Sequence, residues 1–348
     1  MATMLRSLAS QLSCPGPGPG PGPGSTSAPG PAPAAAQSAA RGRRYDLQCR
    51  ASEIDPAAKE HPEIGFVFED DVEHAAVDTS VPSTGQLVVW LMSYELGEGL
   101  FDRLAACGQH CIQVHYANKW FGSVPEAVRD DGDSCGQIRL EAAVGGDHGG
   151  PRIPEWMGVP PADSIAGRSV KMVRWLAKTN PEGGWDQFLT ADGTDLLWAT
   201  KVTLAGISHG STTAARMAKH VEVARVVLFS GPRDQFDAWH GFDSATPTER
   251  YFAFTHVLDA GWPAHYHRSW EMLGLEAHGG LESVDTSAPP FNQSRTLISD
   301  ADVGGSAEVA HTTVVPGKSS VQDAAGNFKY EAVWRYLFTH PTQSRTVN

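Results

Sequence analysis

The chain has 348 residues, a formal net charge of -13, 41% hydrophobic residues and ten tryptophans, enough for one large folded domain with a substantial core. That charge argues against a nucleic-acid groove, which needs clustered Lys and Arg to displace counterions from phosphates. No segment approaches the unbroken apolar run of about 20 residues that a membrane-spanning helix requires.

The N-terminal residues 1–45 contain no Asp or Glu, carry Arg6, Arg41, Arg43 and Arg44, and pass through a Pro-Gly repeat at 15–24. Such a segment buries too little apolar surface to offset its ordering entropy, so disorder is expected. Two readings of it stay open. One is an organelle-import peptide, plastid ahead of mitochondrion, which suits a Ser- and Arg-bearing leader poor in acids; the other is an untargeted low-complexity tail on a cytoplasmic protein.

From about Asp46 to the end, 46–348, the composition is that of a folded domain. Apolar runs with strand character occur at 86–92 (QLVVWLM), 111–116 (CIQVHY), 201–207 (KVTLAGI), 224–229 (ARVVLF), 251–257 (YFAFTHV) and 294–299 (SRTLIS). Helical patterns lie between and after them, at 99–106, 163–178 with a Ser164 start signal, 212–219, 267–273 and 330–339. This alternation predicts an α/β domain with a mostly parallel sheet covered by helices. The cysteines Cys14, Cys49, Cys107, Cys111 and Cys135 show neither zinc-site nor disulfide-scaffold spacing. Cys107 and Cys111 read as small buried side chains one helical turn apart, and the set suits a reducing compartment.

The strongest local signal is Gly206-Ile207-Ser208-His209-Gly210, a G-x-S-x-G fed by a hydrophobic run and followed by an Ala-rich helical one. In a strand-turn-helix elbow the nucleophile takes a strained backbone conformation, so the residues two before and two after it must be small. Ser208 would then stand above the sheet edge at a helix N-terminus, where partial positive charge favours a developing oxyanion. A plain Gly-Ser turn is the alternative that the flanking strand and helix disfavour.

A serine hydroxyl needs a base, and the base needs a carboxylate to orient it. In this class of site both follow the serine, acid before histidine. Asp259 ends the 251–257 strand, where parallel sheets gather their active-site groups, and His311 follows the 294–299 strand after a loop of small residues at 300–310. Asp234, after the 224–229 strand, is the competing acid; Asp300 and Asp302 read as turn formers. His311 is preferred on topology to His256, His265, His267 and His278; His256 is expected inside its strand as a hydrogen-bonded histidine, with His265 and His267 on the entry loop or the surface. One oxyanion donor would be the N–H of His209, the other an N–H of Ser93 or Tyr94 in the 93–99 loop, which lacks the glycine run that usually pins it.

These residues together resemble the α/β-hydrolase superfamily over about 86–339. A longer set, Asp163-Ser164-Ile165, Gly184-Trp185, the elbow, Phe229-Ser230-Gly231-Pro232 and Thr255-His256-Val257-Leu258-Asp259, is similar to a little-characterised branch of bacterial and algal hydrolases. The resemblance implies an α/β-hydrolase fold, a mostly parallel central sheet flanked by helices, and acyl transfer through an acyl-enzyme. Ser208 would attack the carbonyl of a small-molecule ester or thioester, His311 would shuttle the proton and Asp259 would hold the imidazole. That chemistry requires no metal or organic cofactor.

A cover is expected from an insertion at about 118–161, where Trp120, Phe121, Trp156 and Met157 either line an apolar acyl pocket or anchor a long loop to the core. Two other functions remain compatible with the sequence: a ligand-binding protein that keeps the fold without the chemistry, and a serine peptidase.

Overall fold

The computed structural model describes residues 42–58, 72–91, 97–118, 133–146, 158–234 and 238–342. Five of the six expected strands appear as near-continuous apolar runs: β3 (Leu87–Leu91), β5 (Val202–Ile207), β6 (Arg225–Phe229), β7 (Tyr251–His256) and β9 (Thr296–Ser299). Every residue in them is buried, which is what a sheet covered on both faces demands. The sixth, β4 (His110–Gln113), begins one residue earlier than the apolar run and stops three residues short of its end.

Three strands have no counterpart among the expected ones. They are β1 (Arg44–Arg50), which starts inside the segment expected to be disordered, β2 (Val72–Asp78), and the two-residue β8 (Glu282–Ser283). The sheet order is β1-β2-β4-β3-β5-β6-β7-β9-β8. Strands β1, β2 and β4 pair antiparallel, and from β4 onward every pairing is parallel. This is an α/β-hydrolase fold.

The principal helices are α1 (Glu98–Ala106), α2 (Ser134–Val144), α3 (Ile165–Thr179), α4 (His209–His220), α5 (Tyr266–Met272), α6 (Ala307–Thr312) and α7 (Glu331–Thr339). Ser164 caps α3 as its sequence position suggests, its hydroxyl accepting the Gly167 N–H at 3.1 Å. Alternate residues of each central strand feed two cores. Leu87, Val89, Leu204 and Val226 pack with Ile138 of α2, Val173 of α3 and Met217 of α4. Val88, Trp90, Ala205 and Val227 pack with Leu104 of α1 and Trp334 of α7.

One expectation needs correction, and another falls largely outside the described residues. Of the 118–161 stretch expected to form a cover, 119–132 and 147–157 lie outside them; within it, α2 buries nine of its residues and packs against α3 and α4. Cys107 and Cys111 do not share a helix: Cys107 follows α1 and Cys111 lies within β4, since the chain turns at Gly108. Of the five cysteines, the four in the described residues form no disulfide.

Strand β2 carries a buried carboxyl, that of Glu73. Arg168 of α3 donates to Glu73 at 2.7 Å and to the His115 carbonyl at 3.1 Å, with both side chains of the pair almost wholly removed from water. Replacing Arg168 by Met strands the Glu73 carboxyl, so urea unfolding should show a loss of about 3 kcal/mol or more, partly recovered when Glu73→Gln is added. A loss below about 1 kcal/mol would contradict this role.

Candidate active site

Ser208 stands between β5 and α4 with φ 56° and ψ -118°, a left-handed backbone that a non-glycine residue adopts only under constraint. The constraint is visible in its neighbours. A Cβ on Gly206 would fall 2.5 Å from the Gly210 carbonyl carbon, and one on Gly210 would fall 1.9 Å from the Leu91 oxygen. Leu91 ends β3 and pairs with Gly206, so the elbow is wedged against the neighbouring strand. Thus both glycines are required sterically. The Thr212 N–H and the Ser211 hydroxyl brace the turn by donating to the Ser208 carbonyl at 3.1 and 2.7 Å.

The acid and the histidine meet. His311 Nδ1 lies 2.8 Å from Asp259 Oδ2, and the carboxylate is 1% exposed whereas the imidazole is 30% exposed. One partner is thus held away from water and the other reaches the surface, with Nε2 left for a second contact. The 300–310 stretch that leads to His311 is not loop throughout as expected: its last four residues open α6, and His311 occupies the last turn of that helix, which Ser306 caps by accepting the Val309 N–H at 3.2 Å.

The Ser208 hydroxyl makes no hydrogen bond to His311 in this structure. What joins the two is a short backbone relay. The Ser208 N–H donates to the Phe229 carbonyl at 3.0 Å, and the next residue, Ser230, donates its hydroxyl to the His311 carbonyl at 2.8 Å. Ser230 itself has φ 43°, so the end of β6 is bent where it touches α6.

Asp259 is surrounded by donors. The Gly261 N–H and the Tyr266 hydroxyl bond its Oδ1 at 2.9 and 3.1 Å. Burial by itself would raise its pKa; the His311 hydrogen bond, the Gly261 N–H and the nearby Ser230 hydroxyl outweigh it and hold the carboxyl below its usual range. Burial, then the Asp259 charge, drive the Tyr266 phenol up, which keeps it a neutral donor. Four residues further along α5, Trp270 donates its indole N–H to the Gly231 carbonyl at 2.9 Å. One face of α5 therefore fixes both the acid and the end of β6.

His256 is the hydrogen-bonded strand histidine that was expected. Its Nδ1 accepts the Leu258 N–H at 3.0 Å, so Nε2 carries the proton and donates to the Ala301 carbonyl at 2.8 Å. It ties the segment leading to Asp259 to the one leading to His311. Asp302 is a turn former, accepting the Gly304 N–H at 2.8 Å.

The competing acid, Asp234, is committed elsewhere. Arg139 of α2 grips it with two parallel bonds of 2.8 and 3.0 Å, Trp239 adds its indole N–H at 3.1 Å, and the ion pair is fully buried. The same guanidinium reaches His209 Nδ1 at 3.2 Å and the Thr213 hydroxyl at 3.2 Å. Burial and then the Arg139 charge push the His209 pKa well below the usual imidazole range, so its ring is neutral. As the first residue of α4, His209 has an N–H that the helix ladder does not use. Ser93, Tyr94, Trp120 and Trp156 lie outside the described residues.

Sequence reasoning missed Ser230, Tyr266, Trp270 and Arg139. The Ser230-Gly231-Pro232 run and the four-residue spacing of Tyr266 and Trp270 carried some signal. Arg139, 95 positions from Asp234, carried none.

No protein-family model matches the sequence, and no curated protein matches it significantly. Among solved structures the chain is similar to an inhibited esterase B from Lactobacillus rhamnosis, at 11% identity and TM-score 0.35, covering 78% of this chain and 80% of that one. It is also similar to an esterase from Pyrococcus furiosus, at 11% identity and TM-score 0.33, covering 70% and 86%. A third is an α/β serine hydrolase without a lid from Xanthomonas campestris, at 13% identity and TM-score 0.30, covering 67% and 79%.

The depressed Asp259 pKa has a stability consequence of fixed sign. A carboxyl whose folded pKa is lowered stabilises the fold above its unfolded pKa of about 4 and loses that contribution as the pH falls through the folded value. The stability difference between wild type and Asp259→Asn, followed by denaturant unfolding from pH 7 down to pH 2.5, should hold steady near neutrality and shrink below about pH 4. A difference that grows with acidification would refute the assignment of Asp259 as a stabilised carboxylate.

Proposed function

We propose that the protein is a serine hydrolase that cleaves an ester or thioester of a small acyl substrate through an acyl-enzyme on Ser208. The observation that carries this reading is the 2.8 Å bond between buried Asp259 and partly exposed His311, tethered through Ser230 to the elbow that presents Ser208.

In the proposed mechanism Ser208 Oγ attacks the acyl carbonyl while His311 Nε2 takes its proton. Asp259 holds the imidazole in the Nδ1–H tautomer and stabilises the imidazolium that forms. The proton then passes to the leaving alcohol or thiol, water repeats the attack on the acyl-enzyme, and the acid is released. The His209 N–H supports the tetrahedral oxyanion at the positive end of α4, a donor typically worth about 3 kcal/mol. The second donor is proposed at Ser93 or Tyr94, because Leu91, two and three residues before them, already abuts Gly210. The Ser208 to His311 contact closes when substrate fills the site, as apo catalytic hydrogen bonds commonly do.

A fluorophosphonate probe should label the folded protein on Ser208, with labelling abolished in Ser208→Ala. Turnover of a short-chain ester should fall by about 10⁴-fold or more in Ser208→Ala and in His311→Ala, with the fold intact by circular dichroism. Absence of labelling in folded wild-type protein would sink the hydrolase reading and leave ligand binding without chemistry.

Trp120 and Trp156 are proposed to line the acyl side of the pocket. Replacing Trp156 by Ala should then change the ranking of acyl chain lengths in kcat/KM while leaving Tm within a few degrees. An equal loss across all chain lengths would remove Trp156 from the pocket.

A further inference from the structure

At the amino-terminal ends of the parallel strands, opposite the end that carries Ser208, the chain forms an open-sided cavity of about 350 Å³. Its walls come from the starts of five adjacent parallel strands. Gln86 precedes β3, Gln109 precedes β4, Thr200 lies just ahead of β5, Arg225 opens β6 and Arg250 precedes β7. Parallel sheets usually bind ligands at the carboxyl ends of their strands, where Ser208 and Asp259 stand. This cavity therefore belongs to no part of the proposed acyl site.

Its charge is unbalanced. Arg225 is buried, and so is Arg295 beside it; their guanidinium carbons lie 4.4 and 4.3 Å from the centre of the Phe252 ring. The acceptors of Arg225 are the carbonyls of Leu337 and His340, and those of Arg295 are the carbonyls of Glu249, Gln293 and Pro341. Among the described residues no carboxylate pairs with either. Carbonyls at the end of α7, through the helix dipole, and the nearby Glu249 charge offset part of this, yet two buried cations with no carboxylate in contact remain expensive. Burial and the neighbouring Arg295 charge pull the Arg225 pKa down to about 9.

The donors and acceptors around the cavity are also incompletely used. Arg225 spends two of its five N–H groups on carbonyls. Gln109 is 1% exposed and donates its amide to the Phe338 carbonyl at 3.2 Å, but its Oε1 has no hydrogen-bond partner. Arg250 adds a second cation at the rim, only partly neutralised by an exposed Glu222 at 2.9 Å.

We propose that this cavity is a binding site for a small hydroxylated oxyanion, a phosphate- or carboxylate-bearing molecule whose anionic group lies against Arg225 and Arg250 and whose hydroxyl donates to Gln109 Oε1. Guanidinium groups match such oxyanions in geometry as well as charge. The site supplies the missing countercharge for the Arg225 and Arg295 pair, and it does not depend on the hydrolase reading.

Isothermal titration of the full chain with glycerol 3-phosphate, glycerate and inorganic phosphate, at constant ionic strength and without acyl substrate, tests the proposal. One site per chain is expected for glycerol 3-phosphate or glycerate, with Kd of about 1 mM or tighter and weaker binding of inorganic phosphate; which of the two binds assigns the anion as phosphate or carboxylate. Arg250→Gln and Gln109→Met should each weaken binding about tenfold while keeping the native circular dichroism spectrum. Arg225→Gln should abolish it, and if that variant does not fold the other two decide. No saturable binding of any of the three compounds, or binding that Arg250→Gln and Gln109→Met leave unchanged, would overturn the proposal.

Discussion

The site depends on one backbone constraint, the left-handed turn at Ser208. Strand β5 runs into it with no space to spare: Leu91 of β3 lies on one side, Gly210 on the other, and only hydrogen fits at positions 206 and 210. A residue in this conformation costs about 1–3 kcal/mol, and it persists only because the surrounding structure leaves the chain no alternative. The cost is met by β3, β5 and β6, whose wholly buried strands lock the elbow from both sides. The stable part of the sheet thus holds the strained part in place.

Around that fixed point a second set of bonds brings distant loops to the same edge. Ser230 reaches α6, His256 links the exits of β7 and β9, and Tyr266 and Trp270 of α5 secure Asp259 and Gly231. None of these side chains reacts in the proposed chemistry. They set where the acid and the histidine stand, to the tolerance that proton transfer demands. The Asp234–Arg139 pair serves the opposite flank, bracing the first turn of α4 through His209 and Thr213.

How much of this was legible in the sequence follows from how each element is stabilised. Strands β5, β6 and β7 are buried on both faces, so their sequences are mostly apolar and their positions are plain. Strand β2 is not: it carries Glu73 and His74, and Glu73 is tolerated only because Arg168 arrives from 95 positions away. Helix α2 was hidden for the same reason, since the burial of its Arg139 makes sense only beside Asp234. The positions of Ser208, Asp259 and His311 were readable from local pattern and strand order. The helix beneath His311 and the relay through Ser230 were not, because they depend on contacts between segments separated by 81 residues.

A crystal structure of the protein after reaction with a phosphonate ester tests the central claim most directly. Continuous density from Ser208 Oγ to phosphorus is expected, with His311 Nε2 within hydrogen-bonding distance of the adduct and Asp259 still bound to Nδ1. An adduct on any other side chain, or an imidazole of His311 turned away from Ser208 in the inhibited protein, would contradict the account.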